Sequence, residues 1–183
     1  MKTFTCISVL LFCLPLFLSA QSPCLPEGIT FTTQEQIDNF QVNYPGCTEI
    51  EGDVIISGED INNLEGLNVV TDVGGFLWLC NNAILANAAG LQNITTIGAE
   101  LWIYENPMLE NIEALENITP ESIVDLHIYF NPMLAACHID PICQYLANPL
   151  GTVELYMNAP GCNSPEEVLD SCDVIPAVNE MVQ

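Results

Sequence analysis

The stretch LWIYENPMLENI at residues 101–112 returns, with few changes, as LHIYFNPML at residues 126–134. Three further segments align with these two: VIISGE at 54–59, LWLCNN at 77–82 and VELYMN at 153–158. The copies start at residues 54, 77, 101, 126 and 153, so their spacing is 23, 24, 25 and 27 residues. Self-similarity at a period in the twenties predicts that each copy occupies the same place in a repeated unit.

Alternate letters of each copy are constant, which is typical of a β-strand, because successive side chains of a strand point to opposite faces. We therefore expect Leu101 and Ile103 to point into the core, and Trp102 and Tyr104 to point outward. The predicted fold class is mostly β. It is a short right-handed parallel β-solenoid of about five coils, leucine-rich-repeat-like, with helical disulfide-bearing caps at both ends.

An asparagine ends four of the five copies. We expect it to point inward and to hydrogen-bond the backbone of the coils above and below, since a buried bend would otherwise leave peptide groups unpaired. Pro107 and Pro132 follow two of these asparagines and are expected to end the strand pairing. The set is Asn82, Asn106, Asn131 and Asn158, with Glu59 at this place in the first copy.

Three short segments outside the repeats carry helix-start signals. Thr33 and Gln36 form a capping box ahead of an apolar run. Asp140 is predicted as the N-cap of a second helix, and Ser164 as the N-cap of a third. The predicted organisation is a signal peptide at 1–20, an N-terminal cap at 21–52, repeat coils at 53–136, a C-terminal cap with the last coil at 137–173, and a tail at 174–183.

The first twenty residues have the pattern of a secretory signal peptide, with Lys2 before an apolar run and the small residues LSA at 18–20. A membrane anchor is the alternative. Removing residues 1–20 would leave no Lys or Arg, while all 24 Asp and Glu would remain. We therefore expect a secreted or cell-surface protein that binds neither nucleic acid nor anionic membrane surfaces, and that associates at most weakly with Ca²⁺.

Seven cysteines lie beyond the signal segment, a density that favours an oxidising compartment. Cys24 and Cys47 flank the first predicted helix and are expected to form a disulfide. Four C-terminal cysteines allow three pairings, and similar places in adjacent coils favour Cys137 with Cys162. That choice pairs Cys143 with Cys172 and leaves Cys80 as a free thiol.

The outward side chains of the copies are expected to stack into columns rich in aromatic rings. A large exposed aromatic surface often marks a binding site, whereas a ladder of rings on neighbouring strands can also serve stability alone. On the binding hypothesis, truncating Trp102 weakens binding and leaves the thermal midpoint almost unmoved. The candidate ligand-binding residues are Trp78, Trp102, Tyr104, His127, Tyr129 and Tyr156.

Catalytic and metal sites have weaker support. His127 and Glu154 are expected to be cross-strand neighbours, but a solvated surface pair explains them, and the sequence holds no nucleophile elbow, HExxH motif or phosphate loop. We therefore predict no enzyme activity, no cofactor and no dedicated metal site. Acidic residues precede three of the strands at matching positions and could line one edge; they are Asp53, Glu100 and Asp125.

Three longer phrases carry a family resemblance: ITFTTQEQIDNFQVNYPGCTEIEGDVIISG, NITTIGAELWIYENPMLENIEALENIT and VDLHIYFNPMLAAC. They resemble the receptor L-domain family, in particular its secreted bacterial members. The resemblance covers residues 24–172. It implies a receptor L-domain type of fold and extracellular ligand binding, since receptor L domains of animal growth-factor and insulin receptors bind protein ligands. Related bacterial proteins carry a sorting domain after the repeats, and none follows Cys172 here, which leaves surface attachment open.

Together these features predict a non-catalytic recognition or adhesion module that binds an extracellular protein or glycan through the outward aromatic side chains. The alternative is a structural envelope or matrix protein that self-associates and has no specific ligand.

Overall fold

A computed structural model describes residues 23–172 of the chain, so the predicted signal peptide and tail lie outside the described residues. The described part contains nine strands, four α-helices and three 3₁₀ turns. The strands are β1 (Ile29–Phe31), β2 (Glu49–Ile50), β3 (Val54–Ile56), β4 (Asp72–Val73), β5 (Leu77–Cys80), β6 (Thr96–Ile97), β7 (Glu100–Tyr104), β8 (Asp125–Tyr129) and β9 (Val153–Tyr156). The helices are α1 (Gln34–Asp38), α2 (Phe40–Asn43), α3 (Asp140–Ala147) and α4 (Pro165–Ser171); the 3₁₀ turns are Glu65–Leu67, Glu113–Leu115 and Pro120–Ser122.

The strands form two parallel sheets. The larger sheet has six strands in the order β1-β3-β5-β7-β8-β9, and the smaller has three in the order β2-β4-β6. In the larger sheet Leu77 pairs with Leu101, and Leu101 with Leu126. The repeated phrases therefore lie side by side in the register in which their sequences align.

The predicted fold class, a mostly β right-handed parallel β-solenoid of about five coils, is wrong. The described residues have mixed α/β content, with a six-stranded and a separate three-stranded parallel sheet and four helices. Apart from the cap helices, the prediction treated the segments that connect the repeated strands as irregular. Two-residue strands such as β4 and β6 carry too few side chains to show an alternating pattern, so the second sheet left no periodic signal in the sequence.

The inward side chains of the six-stranded sheet form the core. Leu101, Ile103, Leu126 and Ile128 are each at most 1% exposed and belong to a single hydrophobic cluster. The cluster runs from Phe31 to Val168 and includes apolar residues of both sheets and of helices α1 to α4. The alternation of the repeated phrases thus decides which side of each strand is buried.

Buried asparagines join the ends of four strands, as the sequence predicts. The Nδ2 group of Asn106 donates to Leu79 O at 2.8 Å, and that of Asn131 donates to Ile103 O at 2.9 Å. Each Oδ1 in turn accepts from the preceding asparagine, as in the 3.1 Å bond from the Asn106 backbone N–H to Asn131 Oδ1. Asn82, Asn106 and Asn131 are fully buried. The chain of amides satisfies peptide groups that no strand partner reaches.

The residue before each of these asparagines has a left-handed backbone, with φ near +55° at all four places. The backbone N–H of this residue still donates to the next strand, as from Glu105 to Tyr129 O at 3.3 Å and from Phe130 to Tyr156 O at 3.4 Å. The left-handed bend therefore turns the chain inward without ending the hydrogen bonding. The four residues are Asn81, Glu105, Phe130 and Met157.

The cap helices begin largely where the sequence predicts. Thr33 and Gln36 form the capping box of α1, and the Ser164 side chain accepts from Glu167 N at the start of α4. The prediction for α3 is wrong by one residue. Its N-cap is Ile139, which offers no side-chain oxygen, and Asp140 is already the first helical residue.

Three disulfides tie down the two ends of the described chain: Cys24–Cys47, Cys137–Cys162 and Cys143–Cys172. These are the pairs that the sequence spacing favours, and Cys80 is a buried free cysteine. Several disulfides in one domain are typical of extracellular or secreted proteins. Between residues 23 and 172, no helix has the length and apolarity required to cross a bilayer.

The thiol of Cys80 should resist modification in the folded protein. Cys80 is only 3% exposed, so iodoacetamide is expected to react with it only after unfolding. Intact mass spectrometry of the unreduced chain lacking residues 1–20 should show no alkyl group under native conditions and one in denaturant. A second alkylated thiol in denaturant, or Cys80 within an intramolecular disulfide, would refute the pairing.

Candidate functional site

The outward side chains of the six-stranded sheet form two stacked columns, which we call the aromatic face. In the first column Trp78 pairs across the sheet with Trp102, and Trp102 with His127. Their rings are 5.0 and 4.4 Å apart between centroids, and Phe76 stacks on Trp78 at 4.2 Å. The aromatic face comprises Trp78, Trp102, Tyr104, His127, Tyr129 and Tyr156, so the structure brings together all six predicted residues.

The second column consists of three tyrosines on β7, β8 and β9. The ring of Tyr129 lies 5.4 Å from that of Tyr104 and 5.0 Å from that of Tyr156, nearly parallel to the latter. Burial, the Cys80 thiol and the charges of Tyr129 and Glu105 raise the pKa of the Tyr104 phenol. Burial and neighbouring negative groups likewise raise the pKa of Tyr129. Both phenols therefore stay neutral hydrogen-bond donors over the physiological range.

Trp102 lies within a ladder of rings, which is one of the two alternatives that the sequence leaves open for the outward side chains. Its ring is half-buried and contacts the rings of Trp78, His127, Tyr104 and Tyr129. The indole N–H groups of Trp78 and Trp102 are buried and have no hydrogen-bond partner among the described residues. The first column is thus closed off by its own stacking, and alternation alone could not show this because outward side chains can still bury one another.

Truncating Trp102 should therefore destabilise the protein. Trp102→Ala removes four ring contacts, and we expect it to lower the free energy of unfolding by about 2–3 kcal/mol. Tyr156→Ala is the matched control, because Tyr156 lies at the end of the stack and is 39% exposed; its expected cost is about 1 kcal/mol. Urea denaturation measures both, and equal losses would contradict the role of Trp102 in the stack.

The accessible part of the aromatic face lies at its Tyr156 end, beside the left-handed bends. Phe130 is 41% exposed and Met157 is 60% exposed. Together with Glu105 and two prolines they line an open groove of about 460 Å³. The sequence analysis did not predict this groove. The residue before each Asn could have indicated it. This residue is large and apolar in two copies, Phe130 and Met157, and polar in two others, Asn81 and Glu105.

The acidic groups and histidines have structural partners. His127 Nδ1 lies 3.0 Å from Glu154 Oε2, with the His127 side chain 9% exposed and that of Glu154 47% exposed. Asp125 Oδ1 accepts the backbone N–H of Thr152, and this hydrogen bond lowers the pKa of the Asp125 carboxyl. Asp53 Oδ1 accepts from Phe76 N at 3.2 Å. Two of the three acidic residues that precede strands, Asp53 and Asp125, thus accept a backbone N–H at the start of the neighbouring strand.

No group of three metal-binding side chains is placed to hold an ion within residues 23–172. His138 lines a separate acidic groove with Glu113, Glu116 and Asp140, none of which belongs to the aromatic face. The six predicted residues thus lie together on the aromatic face, whereas His138 does not.

Comparison of the chain with protein-family models, with curated proteins and with solved structures finds no match. The resemblance to receptor L domains thus stays a prediction.

Proposed function

We propose that this protein is a secreted or cell-surface recognition or adhesion module without catalytic activity, which binds an extracellular protein or glycan through the aromatic face. One observation carries the proposal. Exposed aromatic and apolar side chains are contiguous at the Tyr156 end of the face, where Tyr156, Phe130 and Met157 are 39%, 41% and 60% exposed. Contiguous exposed patches of this kind mark interaction sites on soluble proteins, and Tyr is enriched in them.

Three further features support export and binding. Three disulfides are typical of proteins that leave the cytosol, and residues 1–20 have the pattern of a signal peptide. The tyrosine rings are held by stacking at 5.0–5.4 Å, so little side-chain entropy remains to be lost when a ligand packs on them.

A purely structural role is the second candidate, and the stacking of Trp78, Trp102 and His127 favours it for the first column. Self-association through the face is disfavoured, because each copy has a formal net charge of −23 and like charges repel at close approach.

Arrays of extracellular proteins and glycans, probed with and without calcium, test the proposal. We expect ligands whose binding Tyr156→Ala weakens about tenfold, as for an aromatic residue central to an interface. Val42→Ala is the matched control, since Val42 is 75% exposed on α2, away from the face. If no ligand distinguishes Tyr156→Ala from Val42→Ala, the proposal fails.

A further inference from the structure

The accessible end of the aromatic face carries two exposed carboxylates and has no Lys or Arg side chain. Glu105 and Glu154 are exposed there, and both carboxylates lie close enough to Tyr129 to contribute to its raised pKa, after burial and the neighbouring Tyr156. The chain has no Lys or Arg after Lys2. His127 Nδ1 lies 3.0 Å from Glu154 Oε2, whereas within residues 23–172 no basic side chain pairs with Glu105. A partner with basic side chains would therefore complement this surface.

The groove beside these carboxylates is apolar. Phe130, Met157, Pro107 and Pro132 line it, and Glu105 is its one charged lining residue. An aromatic ring and a methionine next to a carboxylate suit a side chain with an apolar stem and a cationic head. Arginine fits best, because its planar guanidinium stacks on aromatic rings and pairs with carboxylates through two parallel hydrogen bonds.

We propose that the aromatic face binds a basic polypeptide, with an Arg side chain of the partner in the groove between Phe130 and Met157 and its guanidinium against Glu105. A second basic residue of the partner meets Glu154, on the other side of Tyr129. This inference rests on the proposed function and names its ligand class. Sulfated or phosphorylated ligands are disfavoured because they add negative charge to a surface that is already acidic.

Fluorescence anisotropy with two labelled peptides tests the inference on the chain lacking residues 1–20. One peptide alternates Arg and Gly, and the other replaces each Arg by citrulline, which has nearly the same shape and no charge. We expect the Arg peptide to bind about tenfold more tightly than the citrulline peptide at about 0.15 M NaCl, which is close to physiological ionic strength. Equal binding of the two peptides would overturn the inference.

A pair of double variants separates a specific site from diffuse attraction to an acidic protein. Glu105→Gln with Glu154→Gln should weaken binding of the Arg peptide about fivefold or more. Glu116→Gln with Glu121→Gln removes the same charge from exposed positions outside the six-stranded sheet, and should change binding less than about twofold. Equal weakening by both double variants would show diffuse attraction and overturn the site.

The arrays described above distinguish failure of this inference from failure of the proposed function. If Tyr156→Ala weakens the binding of array ligands but basic ligands are not preferred among them, the basic partner is wrong. The proposal that the aromatic face is a recognition surface would then remain. Arrays in which no ligand responds to Tyr156→Ala would overturn both. Phe130→Ala should weaken binding of the Arg peptide about fivefold. Because the Phe130 ring packs edge-on against Tyr129 and Tyr156, binding is measured at a temperature at which the variant is folded. Unchanged affinity would exclude the groove as the Arg site.

Discussion

Replacing Asn106 with alanine is expected to lower the free energy of unfolding by about 4 kcal/mol, since each buried group left unpaired costs about 1–3 kcal/mol. The Asn106 side chain accepts from the backbone and side-chain nitrogens of Asn82 at 3.2 and 3.0 Å. It donates to Leu79 O at 2.8 Å, to Tyr104 O at 3.1 Å and to Asn131 Oδ1 at 3.1 Å. Alanine makes none of these bonds, and Asn106 is fully buried, so water cannot replace them without opening the core.

The thermal midpoint should fall by roughly 8–16 °C, at about 2–4 °C for each kcal/mol in a domain of this size. Asn93→Ala is the control. Asn93 is exposed and its side chain makes one hydrogen bond, to Asn68 O at 2.6 Å, so the expected loss is at most about 1 kcal/mol. Thermal and urea denaturation of both variants measure the difference. Similar losses would show that the buried amides contribute no more than surface ones.

Complete reduction of the disulfides is expected to unfold the protein at room temperature. The three bonds close segments of 23, 25 and 29 residues, and each closure of this length stabilises the folded state by about 3 kcal/mol. Their sum, about 9 kcal/mol, is comparable to the whole stability of a typical domain, about 5–15 kcal/mol. Within residues 23–172 no Lys or Arg is present to pair with the carboxylates, so little electrostatic stabilisation remains to compensate.

Circular dichroism before and after treatment with a strong reductant measures this effect. The Cys80→Ala variant should lose its structure on reduction just as the parent does, because Cys80 is the free cysteine. The double variant Cys137→Ala with Cys162→Ala should lose about 3 kcal/mol and remain folded. A reduced protein that keeps its thermal midpoint would show that burial and hydrogen bonds are sufficient without the disulfides.

Strand pairing and cysteine pairing could be predicted because both follow from spacing. Copies of one phrase at nearly constant intervals place Leu77, Leu101 and Leu126 side by side, and the same spacing brings Cys137 next to Cys162. The amide ladder followed from the recurring Asn and the need to pair buried peptide groups. The mixed α/β character did not follow, because the two-residue strands of the second sheet are too short to show a period.

The candidate site was predicted in its membership and not in its packing. Alternation places Trp102 and Tyr129 on the outer side of the sheet, as observed. Whether an outward ring stands in solvent or lies against its neighbours depends on rotamers and strand twist, which a pattern of letters does not encode. For that reason the sequence left open whether Trp102 serves stability or binding, and it did not predict the groove beside Phe130 and Met157.

The left-handed residue that follows each of the strands β5, β7, β8 and β9 accepts very different side chains on the same backbone conformation. Asn, Glu, Phe and Met all occupy this one conformation, with φ between 54° and 56°, although a large side chain costs roughly 1–2 kcal/mol there. Glycine would remove that cost, but it would also remove the side chain that provides the contact surface. On the proposed function, these four sites form a row in which side chains can be exchanged on one backbone conformation. Exchanging them would then change the ligand without changing the buried core.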